Sequence, residues 1–146
     1  MQSKLHHVSL FTNDLERSLL LFQELLGFEK LWQVGPLGGK GMASLFGLDD
    51  MQAELIMLQG KDGVLLELVH LLEPRIETAQ KSSPLPAPVF LCLEVEDLQG
   101  LYEMLGQNGW QPFTLITKLP APGGGMINMF CIRTEENLLL EFIEEL

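Results

Sequence analysis

The sequence predicts an α+β fold, one domain made of two tandem βαβββ modules, and three observations lead there. Residues 7–15 (HVSLFTNDL) lie over residues 90–98 (FLCLEVEDL) at an offset of 83. Residues 64–68 (VLLEL) lie over residues 138–142 (LLLEF) at an offset of 74. Between the two copies the composition changes, with Pro74, Pro84, Pro86, Pro88 and the pair Ser82-Ser83. Self-similarity at a fixed spacing marks a repeated structural unit, and a proline-rich stretch marks a connection. Module one therefore covers about 4–74, a linker about 75–88, and module two about 89–146, within a single domain of residues 1–146.

Each element follows in order. Residues 5–12 are apolar and β-branched, which suits a strand. Asn13-Asp14 offers an N-cap, and Glu16 stands three residues past Asn13, the spacing of a capping box. Leu15, Leu19, Phe22, Leu25 and Leu26 recur at helical intervals, and Gly27 suits a helix C-terminus. Residues 28–34 resume a strand. The glycines of residues 35–41 predict a loop. Strands follow at 53–58 and 64–71, joined by the turn sequence of residues 59–63. In the second half, residues 89–95 form a strand and Asp97 caps a helix over 98–105, with Gly106 and Gly109 near its end. Strands return at 111–116, 127–133 and 138–143.

Composition narrows the functions open to such a chain. At 146 residues and 47% hydrophobic content it can bury a core without staples. No apolar run approaches the ~18 residues that span a bilayer, and the N-terminus lacks signal-peptide zones, so the expected compartment is the cytoplasm. Cys92 and Cys131 sit in apolar runs and read as reduced core thiols. The net charge of −11 repels phosphate backbones and anionic lipid, which argues against nucleic acid and membrane partners. A solubility charge on exposed faces accounts for it most simply, and it also suits a cationic or neutral small molecule.

Strand parity places the polar residues. His7, Ser9 and Phe11 share one face of the first strand, with His6 on the other. Leu65, Glu67 and Val69 share a face of the fourth strand, with His70 opposite, and Leu139, Glu141 and Ile143 share a face of the last. Glu67 and Glu141 each interrupt a very apolar strand at matched positions of the repeat. An isolated buried carboxylate costs several kcal/mol, so such groups are exposed, paired or metal-bound.

The stretches HVSLFTNDLERSLLLFQELLGF, GVLLELVHLLEP, LCLEVEDL and ENLLLEF together make the chain resemble the vicinal oxygen chelate superfamily, over nearly its whole length. That superfamily includes glyoxalase I, methylmalonyl-CoA epimerase, extradiol dioxygenases and bleomycin- and fosfomycin-resistance proteins. The resemblance implies cupped mixed sheets lining a small-molecule cavity, and a homodimer. It also implies one divalent ion (Zn, Ni, Mn, Fe or Mg) held by His7, Glu67 and Glu141. Glu141 is then the candidate catalytic base as well. The fourth ligand position of the family, a histidine opening the second module, is Phe90 here. Phenylalanine cannot coordinate a metal, so the implied set is one imidazole and two carboxylates. It lacks the two histidines of a non-haem iron oxygenase, which disfavours dioxygenase chemistry.

Two functions stay open on the sequence. One is a metal-dependent lyase or isomerase acting on a small oxygenated metabolite, the ion polarising vicinal oxygens while a carboxylate takes the adjacent proton. The other is a metal-free protein that sequesters a drug or antibiotic, as bleomycin-resistance proteins do. Each signal also has a plain structural reading. His7 suits a satisfied core histidine, and Glu67 and Glu141 suit backbone bonds or cationic partners. The opposite-face positions of His6 and His70 favour structural roles for both. Gly123-Gly124-Gly125 lacks the lysine and helix of a phosphate loop and suits a cavity lid. Trp32, Trp110, Met126, Met129 and Phe130 suit core packing or a pocket wall. Glu135, Glu136, Glu144 and Glu145 read as solvated charges.

Overall fold

Two four-stranded mixed sheets of identical connectivity make up the fold in the computed structural model, which describes residues 4–44, 47–75, 90–121 and 124–146. The chain divides into two compact units, Met1–Glu77 and Thr78–Leu146. Nearly all of the expected linker lies outside the described residues.

The first unit runs β1 (Val8–Thr12), α1 (Leu15–Leu19), β2 (Glu29–Gly38), α2 (Lys40–Ser44), β3 (Gln52–Gln59) and β4 (Leu65–Glu73). Its sheet is ordered β1-β4-β3-β2, with β1 parallel to β4 and the other pairs antiparallel. The second unit runs β5 (Phe90–Glu94), α3 (Leu98–Gln107), β6 (Thr117–Pro120), β7 (Met126–Arg133) and β8 (Leu139–Glu145), ordered β5-β8-β7-β6. The repeat holds to the residue. Leu66 pairs with Val8 and Leu58, while Leu140, 74 positions on, pairs with Leu91 and Ile132. The expected βαβββ modules are the modules of the structure.

The helix starts also match. Asp14 accepts from the Arg17 amide at 3.0 Å, and Asp97 from the Gly100 amide at 2.8 Å. These bonds satisfy backbone donors that a first helical turn otherwise leaves unpaired. The expected capping box on Asn13 is thereby corrected: the cap lies one residue later, and Glu16 sits within the first turn. Helix ends differ by one residue. From Asp14 to Gly27, the glycine with φ +72°, is 27 − 14 = 13 positions; from Asp97 to Gly109, with φ +81°, it is 109 − 97 = 12. The longer copy absorbs its extra residue as a π-helical turn over Leu20–Leu25, where a continuous α-helix was expected.

Two further expectations are corrected. Residues 35–38 are not loop but the end of β2. A Cβ at Gly35 would stand 2.9 Å from the Glu54 Cα, and one at Gly38 2.8 Å from the Met51 carbonyl oxygen. Glycine here lets two strands approach closely at a bulge, a strand use that composition cannot tell from a loop. Residues 111–116 are not a ladder strand. Pro112 makes one isolated bridge to Ile132, the Phe113 amide donates to the Cys131 carbonyl at 2.6 Å, and the Thr114 hydroxyl takes the Cys131 amide at 3.0 Å in place of a backbone carbonyl.

One face of each sheet carries the core. Ile56, Leu58, Leu66 and Leu68 lie under Leu21 and Phe22 in the first unit, all but fully buried. Phe130, Ile132, Leu140 and Phe142 lie under Leu98, Leu101 and Leu105 in the second. Full burial of each such side chain contributes about 1.5–3 kcal/mol. Trp110 and Phe130 belong to this core, whereas Trp32 and Met126 are exposed. No helix among the described residues is long and apolar enough to cross a membrane.

Candidate functional site

The opposite face of each sheet carries the polar groups. In the first unit, Ser9, Glu67, Met57 and Trp32 form one in-register row across β1, β4, β3 and β2. In the second, Cys92, Glu141 and Cys131 form the equivalent row across β5, β8 and β7. Alternation produces both rows. The residues on either side of each glutamate point into the core, so the glutamate must point away from it.

His7 lies immediately before β1 rather than within it, since the strand starts at Val8. Its Nε2 stands 3.5 Å from Glu67 Oε2, and that oxygen also accepts a 2.8 Å bond from the Ser9 hydroxyl. The Glu67 side chain is 14% exposed, so its charge is partly desolvated and both contacts matter to it. The other nitrogen of the His7 ring meets its neighbour: His6 Nδ1 and His7 Nδ1 are 2.7 Å apart. One of these nitrogens donates and the other accepts, which fixes the His7 ring with Nε2 toward Glu67. His6 thus has a role that strand parity missed, because the two residues precede the strand where parity begins.

His70 lies away from this row. Its Nδ1 pairs with Glu54 Oε2 at 3.1 Å on the helix-covered face. α2 covers the far end of the polar face, packing Ala43 on Met51, Ala53, Val69 and Leu71.

Glu141 sits between two thiols. Cys92 stands in register beside it, and burial, then Glu141, push that thiol up to about 11. Cys131 is pushed up as well, by burial first and then by Glu141. Both cysteines are free, and neither lies in the core, correcting the expectation that they would. On the same face Phe90 is 49% exposed, and the Arg133 guanidinium lies 4.5 Å over the Phe113 ring while donating to Asn137.

Two other sequence readings change. Glu144 is not merely a solvated charge: it accepts the Leu98 amide at 3.2 Å, at the start of α3. Gly124 and Gly125 belong to the turn joining β6 and β7, closed by the Ala121 amide donating to the Gly125 carbonyl at 3.1 Å; Gly123 lies outside the described residues.

The His7–Glu67 pair fits part of a divalent-ion site. Two donors 3.5 Å apart, each about 2.1 Å from a shared ion, subtend roughly 110°, close to the tetrahedral angle. A neutral imidazole and a carboxylate are ordinary ligands for such ions. Two donors do not complete a site, and among the described residues no three His, Cys, Asp or Glu side chains form a metal-holding group. The third implied ligand, Glu141, belongs to the second unit.

The profile of the Glyoxalase/Bleomycin resistance protein/Dioxygenase superfamily matches residues 4–142. Among solved structures, a glyoxalase family protein from Bacillus cereus is similar with a TM-score of 0.78 and 20% identity, covering 100% of this chain and 96% of its own. The genomically encoded fosfomycin resistance protein of Listeria monocytogenes, in complex with Mn(II) and sulfate, is similar with a TM-score of 0.62 and 14% identity, covering 100% and 95%. A virulence protein from Salmonella typhimurium follows with a TM-score of 0.60 and 16% identity, covering 100% and 99%. No curated protein sequence matches the chain. At these identities the likenesses establish the fold.

Proposed function

From a chain that belongs to the Glyoxalase/Bleomycin resistance protein/Dioxygenase superfamily, we propose a divalent-metal-dependent lyase or isomerase acting on a small oxygenated metabolite. The observation that carries this reading is the His7–Glu67 pair, an imidazole nitrogen and a carboxylate oxygen 3.5 Å apart on the polar face. His7, Glu67 and Glu141 are the assigned ligands. When bound, the ion supplies Lewis-acid polarisation of vicinal substrate oxygens. The chain's own groups do the rest. His6 holds the His7 ring, Ser9 holds one oxygen of Glu67, and a Glu141 carboxylate oxygen accepts the proton from the carbon beside the polarised oxygen. The homodimer expected from the resemblance belongs to the same reading, and a monomeric mass at micromolar concentration would count against it.

Calorimetric titration of protein purified without chelator tests the metal. Mn²⁺ is the first ion to try, since the similar fosfomycin resistance protein carries it. Saturable binding by the parent, lost in His7→Ala and Glu67→Gln and weakened in Glu141→Gln, is expected. Binding that survives all three substitutions would refute the ligand assignment.

A second reading has its own observation. Phe90 presents a half-exposed ring on the face that carries Glu141, where a histidine would have served a metal. Such a wall favours a metal-free binder of aromatic or cationic molecules, attracted by ring faces and by the net charge of −11. A parent that takes up no Mn²⁺, Ni²⁺ or Zn²⁺ would favour this function over the first.

A further inference from the structure

Among the described residues, one side-chain nitrogen is buried without a hydrogen-bond partner, the Nε of Arg133. Alternation puts Arg133 on the polar face of the second sheet. Phe130 and Ile132 point into the core, so Cys131 and Arg133 point away from it. Arg133 pairs in register with Leu139, which pairs with Phe90, one two-residue step (about 7 Å) from the row of Cys92, Glu141 and Cys131. Lys118, the other basic residue on the strands of this sheet, pairs with Asn128 and so follows the core-side parity of Phe130. Arg133 is thereby the one cation that these strands place on their polar face. Its guanidinium is held from two sides. It lies 4.5 Å over the Phe113 ring, and Nη1 donates to Asn137 Oδ1 at 2.9 Å. Asn137 is itself fixed, at φ +67° with its amide on the Thr134 carbonyl at 3.0 Å. A clip between residues 111–116 and the β7–β8 turn accounts for both contacts, but not for Nε. A charged donor shut off from water without an acceptor is costly, and such a group in a folded protein calls for a partner.

We propose that Arg133 anchors an oxyanion of the bound molecule, and that the ligand of this face is a small organic acid recognised through a carboxylate or a phosphate. The proposal rests on the metal-dependent reading only in naming that acid as the substrate; the anchor itself needs no metal. Nη1 is engaged by Asn137, while Nε and Nη2 form the edge whose two parallel N–H bonds match two oxygens of a carboxylate or phosphate. The stacked ring and the Asn137 bond fix the plane of that fork before a ligand arrives. Phe113 is 56% exposed, so its ring can turn about the side-chain bonds and admit the oxyanion while its amide keeps the 2.6 Å bond to the Cys131 carbonyl. The net charge of −11 does not forbid an anion here, because physiological salt screens exposed charges beyond about 8 Å.

The test reads Nε directly in the full chain. Arg17, Arg75 and Arg133 are its arginines, so the nitrogen NMR spectrum holds three side-chain Nε–H signals, and the one lost in Arg133→Lys belongs to Arg133. Metal-free parent protein is titrated with glycolate and, separately, with inorganic phosphate, each against sodium chloride of equal ionic strength. A saturable shift of the Arg133 signal with either anion, and none with chloride, is expected. The anion that saturates at the lower concentration identifies the recognised group as carboxylate or phosphate. Calorimetry with that anion should find binding weakened about tenfold in Arg133→Lys, which keeps the charge but loses the fork, and further in Arg133→Gln. With no metal added, the outcome is independent of the Mn²⁺ titration, so either reading can fail without the other. An Arg133 signal that ignores both anions, or that follows chloride as well, would overturn the anchor. So would an Arg133→Lys variant that binds as tightly as the parent.

Discussion

Glu67 and Glu141 hold equivalent places in two sheets, each with a strand neighbour in register on both sides, Ser9 and Met57 for the first and Cys92 and Cys131 for the second. Each stands on the face turned away from its helix. A carboxylate there escapes the core that the rest of its strand builds, while its neighbours on that face set its surroundings. The two differ in those neighbours and in the residue that precedes them, His7 beside Glu67 where the second half has Phe90.

Replacing Phe90 should reveal what the second half has given up. Phe90→His supplies an imidazole at the position where the family resemblance places a ligand, so it should strengthen Mn²⁺ or Zn²⁺ binding. A gain of about 1.4 kcal/mol, tenfold in Kd, is the change to look for by titration calorimetry. Unaltered affinity would mean that residue 90 does not address the site.

Cys92 should react slowly although part of its side chain is open to solvent. Burial first, then the neighbouring Glu141, raise its thiol to about 11 from an ordinary 9.0. Only the thiolate attacks, and a two-unit rise lowers its fraction about 100-fold at pH 8. Alkylation by a maleimide should run about that much slower than for a free thiol, and Glu141→Gln should speed it by removing a negative neighbour. The rate should climb as pH rises toward 11. A Cys92 that reacts as fast as a free thiol at pH 8 would contradict the raised value.

The two caps should behave alike. Asp14→Ala and Asp97→Ala each remove one side-chain acceptor from a helix start, at about 1 kcal/mol in urea unfolding. Replacement by Asn should recover most of the loss. A cost near zero at Asp97 would indicate that Glu144, on the Leu98 amide, holds that helix start by itself.

Asn137 repeats Gly63 at an offset of 74, and both have positive φ, +67° and +85°. The turns are closed alike: the Gly60 and Thr134 amides donate to the Val64 and Leu138 carbonyls. Asparagine tolerates that conformation, and glycine adopts it freely. Asn137→Ala should cost about 1–2 kcal/mol, and Asn137→Gly less, the remainder reporting the Arg133–Asn137 bond at 2.9 Å. Equal costs for both, by thermal unfolding, would mean that backbone conformation is not the deciding term.

The repeat was legible in the sequence because each half must bury a strand face and a helix stripe, and that demand fixes the apolar spacing at both offsets. The offsets of 83 and 74 recur in the strand pairing, where Leu66 stands beside Val8 and Leu140 beside Leu91. Strand parity likewise separated Glu67 from its apolar neighbours Leu66 and Leu68, while its pairing with Ser9 came from the register of the sheet. What tertiary structure decided lies where periodicity stops or where chemistry depends on a neighbour. Glycines at 35 and 38 read as loop, but close strand approach made them strand. One surplus residue became a π-helical turn, because the strands on either side are anchored and the helix is not. Cys92 and Cys131 looked like core residues in apolar runs, yet alternation turned them to the face of Glu141. The contacts of His7 with His6 and Glu67 depend on side-chain rotation just before a strand, where no sequence period operates, so only packing could set them.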